Sequence, residues 1–257
     1  MVRFMSLMSG SGGNSTLISD GETSLLIDCG MSGSALSKKL DSINMRPEEL
    51  SGVLITHEHS DHTGGVGVIA RRYGIPVYAT EKTFAAMNAG KIDPGQLHTV
   101  RPGVMFSAGS IDVQPFSIPH DAADPVGYSF FADGCKYTLA TDIGFMPDSL
   151  FENLRGSKSI ILESNHDIEM LRYGAYPYYL KQRILSQKGH LSNDITAETA
   201  VRLADTGTDK IMLAHLSHEN NTPEIAQITT KNALDRSGYG NVRLSVAARY
   251  EITSFAV

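Results

Sequence analysis

A chain of 257 residues, 41% of them apolar, can bury a substantial core, and no linker-like stretch divides it, so one domain over residues 1–257 is expected. The net charge of −6 argues against a general nucleic-acid binder but not against a nuclease, because bound metals and a local basic strip attract phosphate whatever the overall sign. Two cysteines are too few for a disulfide framework, and neither a membrane span nor a secretory leader is legible, which points to a cytoplasmic protein with no membrane partner.

Residues 4–7 and 15–19 read as strands joined by Ser9-Gly10-Ser11-Gly12-Gly13-Asn14. Asp20-Gly21 is a tight-turn dipeptide, and residues 24–28 return as a third strand, an antiparallel meander ending at Asp28. A helix is expected over 32–43 and a short helical turn over 47–50. The apolar run 52–56 reads as a buried strand that delivers His57-Glu58-His59-Ser60-Asp61-His62 onto a loop at the sheet edge. Imidazole and carboxylate are ligands of zinc and related divalent metals, and this spacing is too dense for one tetrahedral ion. A helix over 63–73 should start at that loop, its glycines letting the backbone come close to the site.

A strand at 75–79 and a helix at 82–89 follow, and residues 98–119 alternate like short strands, ending before His120-Asp121. Residues 127–132 and 136–141 pair across Asp133-Gly134, a hairpin signal, and the second of them leads into Asp142. The second half repeats the alternation: helix 147–154, strand 159–163, helices near 177–187 and 194–205, strand 210–214, helix 223–236 and strand 242–247. Such alternation suits an α/β fold with two mixed sheets packed together and helices outside, a four-layer αββα sandwich. Asp28, His57, Asp142, Glu163 and His215 all stand at strand ends, where loops are free to converge on a site.

His-x-His-x-Asp-His at 57–62, the lone His120, the strand-ending Asp142 and a late Leu-x-His at His215 resemble, in order, the motifs of the metallo-β-lactamase fold superfamily. The true β-lactamases carry Cys at the fourth motif; Asp142 is similar to the phosphodiesterase and thioesterase branches, and a carboxylate can bridge two metals. The resemblance implies that His57, His59 and His120 bind one metal, that Asp61, His62 and His215 bind a second, and that Asp142 bridges them. His218 flanks the last motif, and only one of His215 and His218 need reach the metal. Asp28 resembles the structural aspartate that orients a ligand histidine from behind.

Three further segments are similar to a YycJ-like (WalJ) subgroup described as DNA 5′-to-3′ exonucleases: the loop Ser9–Ser15, the stretch Glu163-Ser164-Asn165-His166-Asp167, and Gly189-His190-Leu191-Ser192-Asn193 together with His215-Leu216-Ser217. The Gly-rich loop can form an anion nest through its clustered N–H groups. The resemblance implies a hydroxide bridging two metal ions as nucleophile, zinc being first choice with manganese or iron also suited. Asp61, His190 and Glu163 would carry the chemistry, with His190 as proton donor to the leaving oxygen and Glu163 holding it by a hydrogen bond. Ser11, Gly12, Asn14, His166, Ser192, Asn193, Ser217 and Asn220 are the candidate substrate contacts, for a DNA strand with a 5′ phosphate. Arg172, Lys181, Arg183 and Lys188 with Tyr173, Tyr176, Tyr178 and Tyr179 mix charge with stacking surface as single-strand binders do. The alternatives are a thioester or lactone hydrolase of the glyoxalase II kind, a small-molecule phosphodiesterase, or a protein that senses a ligand through its metals. Association into a homo-oligomer is left open.

Overall fold

The computed structural model describes residues 2–255. Its first half builds one seven-stranded sheet from β1 (Arg3–Met8), β2 (Ser15–Ser19), β3 (Ser24–Ile27), β4 (Gly52–Leu54), β5 (Val77–Ala79) and β6 (Leu97–Thr99), completed at the β1 edge by β14 (Thr253–Ser254). The meander β1–β2–β3 is antiparallel, whereas β3, β4, β5 and β6 run parallel to one another. The helices here are α1 (Gly33–Asp41), α2 (Ser60–Thr63), α3 (Val66–Tyr73) and α4 (Glu81–Ala86).

The second sheet holds β7 (Phe106–Ala108), β8 (Ile111–Ser117), β9 (Val126–Ala132), β10 (Cys135–Ala140), β11 (Ser159–Glu163), β12 (Lys210–Ala214) and β13 (Arg243–Val246) in spatial order. It repeats the plan of the first: antiparallel through β10, then parallel through β13. The hairpin between β9 and β10 turns at Asp133 and Gly134, both with positive φ (50° and 68°), as a tight right-twisted hairpin requires. The helices of this half are α5 (Asp148–Leu154), α6 (Ile168–Tyr173), α7 (Tyr178–Ile184), α8 (Asn193–Asp205) and α9 (Pro223–Arg236).

Side chains alternate across each strand, and on central strands such as β3 and β11 both faces are buried. On β3, Leu25 and Ile27 point between the sheets with Tyr128, Phe130 and Ile161, while Leu26 points outward onto Leu36 and Leu40 of α1 and Ile69 of α3. On β11, Ile161 points inward, and Ile160 and Leu162 meet Leu203 of α8 and Leu234 of α9. The result is the four-layer αββα sandwich that the alternation of elements implied.

Three details differ from the sequence reading. The helix expected over 63–73 breaks at Gly64-Gly65 into α2 and α3, because the chain there presses on the exit of β3: a Cβ on Gly65 would lie 2.1 Å from the Met31 carbonyl oxygen. The helix α6 was not anticipated; Asp167 caps it, its side chain accepting the Met170 N–H at 2.8 Å. Nor was β14, two residues paired with β1 at the sheet edge. Cys29 and Cys135 are free thiols, and Cys29 is buried in the outer core of the first sheet, where burial pushes its pKa up to about 12 and leaves it a packing residue.

Candidate active site

Three of the five non-glycine residues with positive φ among the described residues stand at strand ends beside the candidate ligand histidines. Asp28 after β3, Asp142 after β10 and His215 after β12 all adopt left-handed φ (59°, 60° and 57°), a conformation that costs a non-glycine residue roughly 1–2 kcal/mol. Each turn aims a buried polar side chain across the end of the sandwich rather than along its strand. The Asp28 carboxylate accepts the Thr56 N–H on one oxygen and the Thr56 hydroxyl on the other, 2.8 Å each, and the latter oxygen also lies 2.8 Å from His62 Nδ1. That arrangement fixes the His62 ring with Nε2 turned toward Asp61 and Asp142, 3.4 Å from an oxygen of each. The loop itself is stitched to the end of β3 and to the start of β2: Cys29 N–H donates to the His62 carbonyl and Asn14 N–H to that of Asp61, both at 2.8 Å.

The ligand candidates gather as the motif order implied. His57, His59 and His120 form one set in which each offers a donor atom within 4.8 Å of the others; Asp61, His62 and His215 form another, and Asp142 joins His57 and His62 between them. All except His59 and Asp61 are buried. His57 Nε2 and His59 Nδ1 stand 3.0 Å apart, and His215 Nε2 lies 3.8 Å from Asp61. Asp142 Oδ2 and His215 Nε2 are buried and have no hydrogen-bond partner among the described residues, His62 Nε2 standing 3.4 Å from the first and Asp61 Oδ2 3.8 Å from the second. Imidazoles and carboxylates converging with orphaned atoms fit a pair of divalent cations.

Glu163, at the end of β11, is the centre of the second sheet's contribution. Fully buried, it accepts N–H groups from Asp142, Ile143 and Leu191 at 2.8–3.2 Å, and its Oε1 lies 2.9 Å from Nδ1 of both His190 and His215. Burial would raise its pKa, but the two histidines and these donors hold it below the usual carboxylate range. Occupying both Nδ1 atoms leaves Nε2 of each ring as the atom available to the cavity. Charge within the protein's own groups divides the histidines. Burial and neighbouring histidines push His57 and His120 down, whereas Asp142, Asp61 and Glu163 overcome burial to hold His215 up at about 10, and Asp142 and Asp28 raise His62 likewise.

A cavity of about 240 Å³ opens over this cluster, walled by His59, Asp61, His120, Asp142, His190 and His215. Of the candidate substrate contacts, Ser11 and Ser217 line it. The others do not. Gly12 is exposed on its loop, and Asn14 is turned inward, its side-chain NH₂ donating to Asp61 at 3.3 Å and its oxygen accepting the Gly10 N–H at 3.0 Å. Ser192 caps α8, Asn193 is bonded to Ser164 and Asn221 behind the wall, and Asn220 and His166 are buried there too, with no partner for either His166 ring nitrogen among the described residues. His218 is exposed with Nδ1 on Glu219, so His215 is the one of the pair that faces the site.

Sequence reasoning missed several wall residues. Asn165 donates to the His215 carbonyl at 2.8 Å, and Asp121 accepts from Arg183 at 2.6 Å beside His120; their adjacency to already suspected residues was the only signal. Thr56, which links Asp28 to both His57 and His62, was visible only as the residue before the first histidine.

A family model described as the metallo-beta-lactamase superfamily matches residues 8–215. The chain belongs to the metallo-beta-lactamase superfamily. Within it, the chain is 43% identical over 242 residues to the exodeoxyribonuclease WalJ of Streptococcus pneumoniae serotype 2, covering 93% of this chain and 90% of that protein. It is 41% identical over 244 residues to the exodeoxyribonuclease YycJ of Bacillus anthracis, covering 93% and 91%, which assigns it to the YycJ-like group of the superfamily. Among solved structures it superposes on the metallo-beta-lactamase fold protein YhfI of Bacillus subtilis with a TM-score of 0.74 over 98% of this chain and 99% of that one, at 16% identity, a likeness of fold.

Proposed function

We propose that the protein is a binuclear metal-dependent phosphodiesterase that removes nucleotides from the 5′ end of DNA. The similarity to two exodeoxyribonucleases over nearly the whole chain supports the substrate class. The observation that carries the reaction type is His190, which stands on the cavity wall with Nδ1 on Glu163 and no hydrogen bond to Nε2 among the described residues, beside the clustered metal-ligand candidates. A hydrolase of thioesters has no use for such a donor, since a thiolate leaves unaided. A sugar alkoxide is strongly basic and does need a proton.

His57, His59 and His120 would hold one cation and Asp61, His62 and His215 the other, with Asp142 between them; zinc suits the donor set best, and manganese and iron are also accepted. Two such cations would supply an activated water at neutral pH and neutralise charge on the phosphate. The protein's own groups do the rest. Asp28 and Glu163 keep the imidazoles of His62 and His215 in one orientation, and Asn14 braces Asp61. Nε2 of His190 would deliver the proton to the leaving sugar oxygen, a contribution typically worth about 10²–10⁴ in rate. Ser11 and Ser217 are the neutral donors at hand for phosphate oxygens.

The test is digestion of 5′-phosphorylated and 5′-hydroxyl single-stranded DNA by metal-loaded protein, with products resolved by size. Mononucleotides released progressively from a 5′-phosphorylated end are expected, and His59→Ala, which removes one ligand of the first set, should abolish their release and lower the bound metal. Intact DNA combined with turnover of an S-acyl thiol would overturn the proposal.

A further inference from the structure

The segment between β11 and α8 concentrates two properties that the rest of the surface lacks. In a chain of net charge −6, residues 168–190 carry Arg172, Lys181, Arg183 and Lys188 against the single carboxylate Glu169. The same segment holds four of the ten tyrosines, and three of them, Tyr173, Tyr178 and Tyr179, are the most exposed large hydrophobic side chains among the described residues, at 84, 75 and 73%. An aromatic ring left that open costs hydrophobic free energy, and three on one short segment form a patch rather than scattered surface residues.

The patch is continuous with the active site. Leu180 and Ile184, one turn apart on α7, line the cavity together with Arg183 and with Tyr176 just before the helix, so α7 presents one side to the clustered histidines. Tyr179 lies one turn before Arg183, which carries the surface outward from the cavity. The segment is also braced. Lys181 Nζ donates to the carbonyls of Arg172 and Gly174 at 2.8 and 2.7 Å, tying the end of α6 to α7, and a Cβ on Gly174 would lie 2.5 Å from the Met170 carbonyl oxygen. Arg183 is paired with Asp121 and Arg172 with Glu169, but the Lys181 bonds are to neutral carbonyls and Lys188 makes no ion pair among the described residues, so the charge of these two lysines remains to be met by a partner.

We infer that Tyr173, Tyr178 and Tyr179, with Lys181 and Lys188, form a stacking platform that holds the single strand of DNA leading into the active site. The occupant follows from complementarity: phosphates for the cations, unpaired bases for the open rings, and a course that ends at the cavity. A duplex presents no free base faces to such rings, so the platform selects a single strand. The inference rests on the nuclease reading for the identity of the chain that enters the cavity.

The experiment measures binding of a fluorescent single strand, longer than the ~4–16 nucleotides such surfaces cover and carrying phosphorothioate linkages, by anisotropy. Tyr178→Ala/Tyr179→Ala should weaken binding by about tenfold or more, in line with base stacking on aromatic side chains. Duplex affinity and the rate on bis-p-nitrophenyl phosphate should hold, because neither tyrosine lines the cavity. Tyr178→Phe/Tyr179→Phe should bind like the parent, since the ring rather than the hydroxyl stacks. Unchanged single-strand affinity in the alanine variant overturns the inference, as does a loss that phenylalanine fails to restore. A change in sedimentation with strand affinity intact would assign the patch to protein association and overturn it too. Wild-type protein that binds the strand through these tyrosines yet cleaves no DNA defeats the nuclease reading while supporting the platform.

Discussion

Gly30 sets how closely the histidine loop can approach the first sheet. A Cβ there would stand 1.7 Å from the Asp61 carbonyl oxygen and 2.7 Å from Asn14 N, both rigid backbone. Gly30→Ala should therefore displace Asp61, lower stability by about 1–3 kcal/mol or more, and reduce bound metal by elemental analysis; a variant with full metal content would contradict this placement. At this scale the ligand candidates were legible, because His57, His59, Asp61 and His62 crowd a single loop and His120, Asp142 and His215 follow in recognisable order. The supporting hydrogen bonds were not. Glu163 was paired with His190 on the sequence alone, but its contact with His215 joins the ends of two parallel strands, β11 and β12, which no local pattern encodes. Asn193 and Asn220 read as substrate contacts because polar side chains near histidines usually face solvent, whereas here they are 2% and 0% exposed behind the wall.

Among the elements, β11 bears most directly on the site, since its inner face packs against the first sheet and it ends at Glu163. Ile161 on its inner face is 1% exposed within the central core. Ile161→Val should cost about 0.5–1.5 kcal/mol and Ile161→Ala about 2–5 kcal/mol in denaturant unfolding. A cost below 0.5 kcal/mol for the alanine variant would be inconsistent with a close-packed inter-sheet layer. Strands such as Ser15–Ser19, Ser159–Glu163 and Lys210–Ala214 were read to the residue because both faces are buried and the apolar run stands out from flanking turns. The stretch 98–119 was read only as short strands, since β6 and β7 lie at the outer edges of their sheets, half exposed and only weakly patterned. Helix α6 escaped because six residues are too few for a helical period to show.

For the whole molecule, the two sheets meet at the cluster: His57, His59, Asp61 and His62 follow β4 of the first, while Asp142 and His215 follow β10 and β12 of the second. Cations held there would bind the folded state alone and tie the two halves together. At a thousandfold excess over the dissociation constant, one site adds about 4 kcal/mol, which in a chain of this size raises the melting temperature by roughly 2–4 °C per kcal/mol. Calorimetry should show the melting temperature climbing with added zinc in the parent and much less in His59→Ala; equal curves would contradict a metal centre built on both halves. The alternation of strands and helices made the sandwich legible, and the tyrosines between residues 173 and 179 stood out in the sequence, while the exposure of Tyr173, Tyr178 and Tyr179 came only from the fold. The central claim, that this cluster cleaves phosphodiesters with His190 as proton donor, is tested most directly by the leaving-group dependence of His190→Ala. The account predicts a fall of about 10²–10⁴ in the rate on a DNA strand and a far smaller loss on bis-p-nitrophenyl phosphate, whose leaving group needs no acid. Equal losses on both substrates would contradict it.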